Sequence, residues 1–258
     1  MIVAIIQARM GSTRLPGKVM IDIAGKPALG RVIERVAKSK YVDKIVVATT
    51  HNANDGIIVD YAMSQGVTPF LGREEDVMGR VLEAGTMTGA DIIVDITADC
   101  PLIDPAIIDN VIWKYTDSPI IGNVKWEWLN RHKKPDYVSN CVPIKSFPDG
   151  MDVQVYHIEA LKQVYKLTAN SLRKHVGWNI PQWKQFYCIY IEAEPELHWP
   201  ELRLTLDTKE DYHFITSIFN HFGNQEFGIR DIIATLRENP DKLPIINADV
   251  RTKLPEEG

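Results

Sequence analysis

Residues 7–18 read Gln7-Ala8-Arg9-Met10-Gly11-Ser12-Thr13-Arg14-Leu15-Pro16-Gly17-Lys18. They follow the apolar run Ile2-Val3-Ala4-Ile5-Ile6, whose length and β-type residues predict a buried strand that delivers them to one end of a sheet. Gly11, Gly17 and Pro16 keep the stretch out of a helix. Ser12 and Thr13 add hydroxyl donors, and Arg9, Arg14 and Lys18 put cations on one short loop. Gly11 removes a side chain where backbone N–H groups can approach an anion. Together these are the parts of a polyphosphate cradle. A solvated basic loop is the bland alternative, but the position straight after the first strand of an α/β pattern favours phosphate binding. The spacing is not G-x-x-x-x-G-K-[ST], and G-x-G-x-x-G is absent, so neither a P-loop nor the dinucleotide fingerprint is present.

Outward from this loop, helical and strand periodicities alternate. Leu29, Val32, Ile33, Val36 and Ala37 recur at helical spacing after Pro27, and 44–50 reads as a buried strand. A second helix carries Ile57, Ile58, Tyr61 and Ala62 and stops at Gly66; a short strand covers 67–71, a third helix 75–88 and a central strand 92–96. A helix over 106–115 follows. Such alternation predicts a mostly parallel sheet with helices on both faces and ligands beyond the carboxyl ends of the strands. From 118 to 135 the periodicity breaks around Trp126, Trp128, Arg131, His132, Lys133 and Lys134, a stretch suited to a lid, an oligomer contact or an ordinary surface excursion. Beyond it we expect a turn into a strand over 147–155, helices over 158–168 and 171–179, strands over 186–191 and 203–208, and closing helices over 211–222 and 229–238. No repeat or convincing linker interrupts the 258 residues. The expectation is one domain, 1–258, with an inserted mixed sub-region over 118–200 for acceptor binding or dimerisation.

Composition narrows the function classes. With 45% hydrophobic and 24% charged residues, the chain has an ordinary globular composition. A formal charge of −5 argues against a nucleic-acid binder relying on bulk electrostatics, so an anion site must be local. Cys100, Cys141 and Cys188 are odd in number and lack C-x-x-C spacing, which suggests reduced thiols in a cytoplasmic setting. The N-terminal run does not read as a signal peptide, and no later run is long enough to span a membrane.

Asp99 and Asp207 each fall just past an apolar strand-like run. Carboxylates at strand ends in one crevice suit Mg2+, which takes few carboxylates and fills its remaining positions with water and phosphate oxygens; each aspartate taken singly also reads as a turn or helix cap. Asp95, on the central strand, is placed to pair with a basic-loop residue or to support a metal indirectly.

The stretch Q-A-R-M-G-S-T-R-L-P-G-K also resembles the N-terminal nucleotide-binding loop of sugar nucleotidyltransferases, specifically the cytidylyltransferases. Within those it is most similar to the spore coat polysaccharide biosynthesis protein F-like group, relatives of the synthetases that make CMP-activated acidic sugars. The resemblance implies a Rossmann-like, GT-A-like nucleotidyltransferase sheet. It implies transfer of CMP from CTP to a sugar or sugar-acid acceptor, with release of pyrophosphate and Mg2+ as cofactor, in surface polysaccharide biosynthesis. It assigns nucleotide contacts to Gln7, Ala8, Arg9, Gly11, Ser12, Thr13, Arg14, Lys18, Arg80 and Thr97. Catalysis falls to Arg9, Arg14, Lys18, Asp99 and Asp207, the last two also holding the metal. Arg80 comes from an E-D-V-x-x-R element over 75–80, whose Glu75 and Asp76 also suit a helix N-terminus. The segments F-P-D-G-x-D-V at 147–153 and R-x-H-V at 173–176 imply acceptor contacts from Asp149, Asp152, Arg173 and His175. Lys174 departs from the acidic residue of many relatives, and Gly177 and Trp178 follow less typically. A cytoplasmic homodimer without nucleic-acid or membrane partners is the accompanying expectation. Two rivals stay open on the residues alone: a UTP-using or other nucleotidyltransferase, and a non-catalytic nucleotide-sugar-binding component of polysaccharide assembly.

Overall fold

A computed structural model describes residues 1–117, 134–141, 143–174 and 176–249. Trp126, Trp128, Arg131, His132 and Lys133 of the irregular stretch lie outside the described residues, as does His175. The first strand, β1 (Ile2–Gln7), forms as expected, its four central residues buried. It alternates its side chains between two apolar layers. Ala4 and Ile6 join one cluster, Val3 and Ile5 the other.

Helices cover both faces. On the Ala4/Ile6 face, α1 (Ala28–Val36), α2 (Gly56–Ser64) and α4 (Pro105–Asp117) pack with the two C-terminal helices, α6 (Lys209–Phe222) and α7 (Ile229–Glu238). On the other face, α3 (Val77–Thr88) and α5 (Ile158–Leu167) bring Met78, Val81, Leu161 and Val164 against Val3 and Ile5. Asp76 caps α3, its side chain accepting a hydrogen bond from Gly79 N.

The remaining strands are β2 (Lys44–Thr50), β3 (Thr68–Gly72), β4 (Ile92–Thr97), β5 (Tyr137–Ser139), β6 (Gln154–His157) and β7 (Cys188–Tyr190). Their spatial order is β3-β2-β1-β4-β6-β5-β7. The chain lays β2 and β3 on one side of β1, all parallel, then returns to place β4 parallel on the other side. The carboxyl ends of β1 and β4 therefore flank a topological switch point, where open α/β sheets bind ligands. Strand β6 runs antiparallel to β4, with Asp95 opposite Gln154, so the turn leading into β6 arrives at this same end of the sheet. β5 is antiparallel to β6 and parallel to β7. The sheet is mostly parallel with helices on both faces, as the alternation predicts.

Two expected elements differ. The helix expected over 171–179 is replaced by 3-10 turns at Asn170–Leu172 and Gly177–Gln182. The carbonyl of Arg173 accepts the Met78 amide from α3 at 2.9 Å and is thereby diverted from helix bonding, and Pro181 lies inside the second turn. The strand expected over 203–208 makes only an isolated bridge, Asp149 with Arg203. Its neighbours are loops. Leu202 O accepts Asp149 N at 2.9 Å, Leu204 N donates to Asp149 O at 2.7 Å, and Leu206 N donates to Asp99 O at 2.8 Å. Among the described residues no helix is long and apolar enough to cross a membrane.

Candidate active site

The loop after β1 is folded back on itself. Gly17 N and Ser12 N donate to Met10 O at 3.1 and 2.9 Å, and Lys18 N donates to Leu15 O at 3.1 Å. Gly17 closes this turn with φ 71°, a left-handed conformation that favours glycine. Leu15 is buried beneath the loop, and Met10 N is tied to Asp55 Oδ1 at 2.7 Å. Among the described residues the amides of Gly11, Thr13 and Arg14 make no hydrogen bond within the protein. They remain as donors for an anion. The loop forms one wall of a cleft of about 690 Å³, lined also by Arg80, Thr97, Ala98, Asp99, Lys174 and Asp207.

Both strand-end aspartates reach this cleft. Asp99 follows β4; Asp207 comes from the far end of the sequence and is drawn beside it by the hydrogen bond from Leu206 to Asp99. Lys18 Nζ donates to Asp99 Oδ2 at 2.7 Å and to Asp207 Oδ1 at 2.8 Å, so the two carboxylates lie within the span of two hydrogen bonds. The other Asp207 oxygen takes Arg14 Nη2 at 2.8 Å and Arg203 Nη2 at 2.6 Å. Burial alone would raise the Asp99 carboxyl, but the Lys18 ammonium overcomes it and holds the group down at about 2. The same pairing raises Lys18 despite its own burial. Asp99 and Lys18 thus face each other as a charged pair at neutral pH.

Among the described residues no group of three or more His, Cys, Asp or Glu is clustered to hold a metal unaided. Two carboxylates around one ammonium still fit a hard divalent cation, because Mg2+ usually takes one or two carboxylates and completes its shell with water and substrate phosphates. Lys18 stands where such an ion would find both oxygens.

The wall opposite the loop is set by Arg80, which is buried on α3. Its Nη1 donates to Arg73 O at 2.7 Å, while its Nε is buried without a partner. Thr97 Oγ1 lies 3.3 Å from Cys100 Sγ. Arg9 Nη1 pairs with Glu74 Oε1 at 3.1 Å across the mouth. Gln7 lines the cleft and also donates to Asp95 Oδ1, whose second oxygen accepts from Tyr156 at 2.9 Å. Asp95 therefore pairs with the residue that begins the basic loop. Burial pushes its carboxyl up to about 6.

The residues expected on the acceptor side divide. Asp149 is buried in ion pairs with Lys145 at 3.2 Å and Arg203 at 3.3 Å. Asp152 is half-buried and makes no hydrogen bond among the described residues. Burial raises it to about 6, with Lys145 opposing and the Asp149 and Asp99 charges adding to the rise. Arg173 lies away from the cleft lining. It stacks over Tyr165 at 3.8 Å, donates to the carbonyls of Thr168 and Tyr165, and meets Asp76 at 3.5 Å. Its neighbour Lys174 lines the cleft instead; the sequence marks that lysine only as a departure from relatives. Arg203 was also missed, although T-x-x-D at 208–211 was a readable signal for its surroundings. Thr208 and Asp211 form a capping box on α6, and the Asp211 carboxylate in turn grips Arg203 Nε at 2.9 Å and Asp207 N at 3.0 Å.

A mostly parallel sheet with a basic loop and two aspartates at its switch point agrees with what comparison with known proteins finds. The family profile described as Cytidylyltransferase matches residues 3–216. Spore coat polysaccharide biosynthesis protein SpsF of Bacillus subtilis is 30% identical over 256 residues, covering 96% of this chain and 99% of that protein. A 3-deoxy-manno-octulosonate cytidylyltransferase of Geobacter sulfurreducens is 40% identical over 159 residues, 58% of this chain and 59% of that one. The solved structure of a cytidylyltransferase from Leptospira borgpetersenii superposes with a TM-score of 0.82 at 30% identity, covering 98% of both chains. With the profile spanning most of the sequence, and the loop and aspartates it begins from meeting in one cleft, this chain belongs to the cytidylyltransferase family.

Proposed function

We propose that this protein transfers CMP from CTP to a sugar or sugar-acid acceptor, releasing pyrophosphate, in surface polysaccharide biosynthesis. The observation that carries the reading is the convergence, in one cleft at the β1/β4 switch point, of the loop cations with Asp99 and Asp207. The similarity to SpsF and to a 3-deoxy-manno-octulosonate cytidylyltransferase supports the acceptor class. Lys174 in the cleft wall suits an anionic ligand.

In this reading the amides of Gly11, Thr13 and Arg14, with Arg9, Arg14 and Lys18, bind the triphosphate and neutralise the charge that builds on the departing pyrophosphate. Phosphoryl transfer of this kind is mostly positioning and electrostatic stabilisation. Asp99 and Asp207 would hold Mg2+, which when bound supplies charge neutralisation at the α-phosphate. Arg80 and Thr97, with Gln7 and Ala8, face the nucleoside. Asp152 lies on the acceptor side, at the carboxyl end of β4. Arg173, spent on α3 and α5, holds the frame of the nucleoside wall. A single catalytic domain, a homodimer and a cytoplasmic location belong to the same reading, with the segment around 118–135 serving the acceptor or the dimer contact.

The test is release of pyrophosphate from CTP and Mg2+ over a panel of 2-keto sugar acids and sugar phosphates. Acceptor-dependent release with CTP, and little with UTP, ATP or GTP, is expected. Binding of nucleotide without release under any acceptor would favour a non-catalytic component, and equal release from UTP would remove the cytidine assignment.

A further inference from the structure

Lys18 and Arg14 are both paired within the protein, and their partners are the carboxylates read above as metal ligands. Lys18 Nζ sits between Asp99 Oδ2 and Asp207 Oδ1 at 2.7 and 2.8 Å, and Arg14 Nη2 lies 2.8 Å from Asp207 Oδ2. The Lys18 side chain is only 13% exposed. Arg9, on the same loop, pairs instead with Glu74. Two of the three Lys18 N–H donors are spent on those carboxylates, and their two negative charges offset the ammonium, so its pull on a triphosphate is weakened while it holds them.

We propose that Lys18 is the resident counter-cation of the metal site and that nucleotide and metal enter by partner exchange. The triphosphate takes Lys18 and Arg14, and the divalent ion takes the Asp99 and Asp207 oxygens they release. This deepens the reading above and rests on it for the identity of the ligands. The electrostatics give the exchange its coupling. A triphosphate alone, taking Lys18, leaves two part-buried carboxylates facing each other; Asp207 keeps Arg203 at 2.6 Å, but Asp99 has no second ion pair among the described residues. A divalent ion alone must evict an ammonium and leave it stranded. Uncompensated charge in such a place is costly. When both arrive, each charge released finds a new partner. Metal and triphosphate therefore bind with positive coupling, and the coupling is reciprocal.

The test uses Mn2+ and inorganic tripolyphosphate as probes, and needs neither the base nor the acceptor. Electron paramagnetic resonance measures Mn2+ binding to the full chain without nucleotide. Lys18→Met should bind Mn2+ about tenfold more tightly than the unaltered protein, within the usual range of coupling factors. Arg9→Met removes the same charge from the same loop but not from the aspartates, and should change the affinity by less than about twofold. Calorimetry in EDTA supplies a second arm: Asp99→Asn removes one of the two carboxylate charges on Lys18, leaving Asp207 at 2.8 Å, and should bind metal-free tripolyphosphate more tightly. Equal Mn2+ affinities for Lys18→Met and the unaltered protein, or equal shifts for Lys18→Met and Arg9→Met, would overturn the exchange. If Lys18→Met does not fold, the Asp99→Asn arm decides alone, and no gain there sinks the proposal. Failure to use CTP would count against the reading of the previous subsection and leave these outcomes untouched.

Discussion

Asp95 and Asp152 are both pushed up to about 6 by burial, yet they differ in what surrounds them. Asp95 is satisfied by Gln7 and Tyr156, whereas Asp152 faces like charges with only Lys145 opposing. The sign of the consequence is fixed by linkage. An unfolded aspartate loses its proton near 3.9, while folded Asp152 keeps its proton until about 6. Between those values the folded state binds more protons, so stability falls as pH rises through the window and stays lost above it. Asp152→Asn removes the ionisation. The variant should match the unaltered protein near pH 4 and exceed it near pH 7 by roughly 1–2 kcal/mol, allowing for partial exposure. Urea unfolding at several pH values checks this; a difference that does not vary with pH would assign the effect to packing. At this scale the sequence was legible at Asp99, which follows β4, and it brought Asp207 to the same cleft although the strand expected before that residue is a loop. It was silent on Lys18 bridging them and on Arg203, because those contacts join distant parts of the chain.

The element that binds the two halves of the site is the turn at 147–153. Its Asp149 is stitched by backbone hydrogen bonds to the segment 202–204, which leads on to Asp207. Gly150 makes the stitch possible. Its φ is 105°, and an added Cβ would stand 2.8 Å from the carbonyl carbon and oxygen of Leu204. Gly150→Ala must therefore push the two segments apart as well as strain its backbone, at a cost of roughly 1–3 kcal/mol. Gly56 is the control. It starts α2 at φ −54°, and its added Cβ meets nothing within 4 Å. Gly56→Ala should leave stability unchanged or raise it by about 0.4–1 kcal/mol. Thermal melts compare the two. If Gly150→Ala melts with the unaltered protein and keeps full activity, the turn does not position Asp207. The motif F-P-D-G announces a turn here, but not its partner: 203–208 alternates like a strand without forming one, because periodicity reports an extended backbone without saying whether a ladder lies beside it.

For the whole molecule, the strongly periodic N-terminal half was legible nearly to the residue, since each strand and helix there buries one face in a layer of the same sheet. The C-terminal half was less so where tertiary contacts override local preference, as at Arg173, whose carbonyl serves α3. One sheet whose switch point holds the site should transmit ligand binding to global stability, because the loop after β1, the end of β4 and the segment before Asp207 are each anchored in one apolar cluster, by Ala8 and Leu15, by Ala98 and by Leu206. A ligand at a hundred times its dissociation constant stabilises by about 2.7 kcal/mol. For a chain of this size that is a rise in melting temperature of about 5–10 °C. With Mg2+ present, CTP should produce the largest shift of the four ribonucleoside triphosphates, because base selection adds to a phosphate contribution they share. Inorganic tripolyphosphate with Mg2+ should give part of it. Equal shifts for CTP, UTP, ATP and GTP would leave phosphate binding standing and remove the cytosine preference. No shift with any of them would mean that the cations of residues 9–18 stay committed to Glu74, Asp99 and Asp207, and the loop would be a structural brace instead of a phosphate cradle.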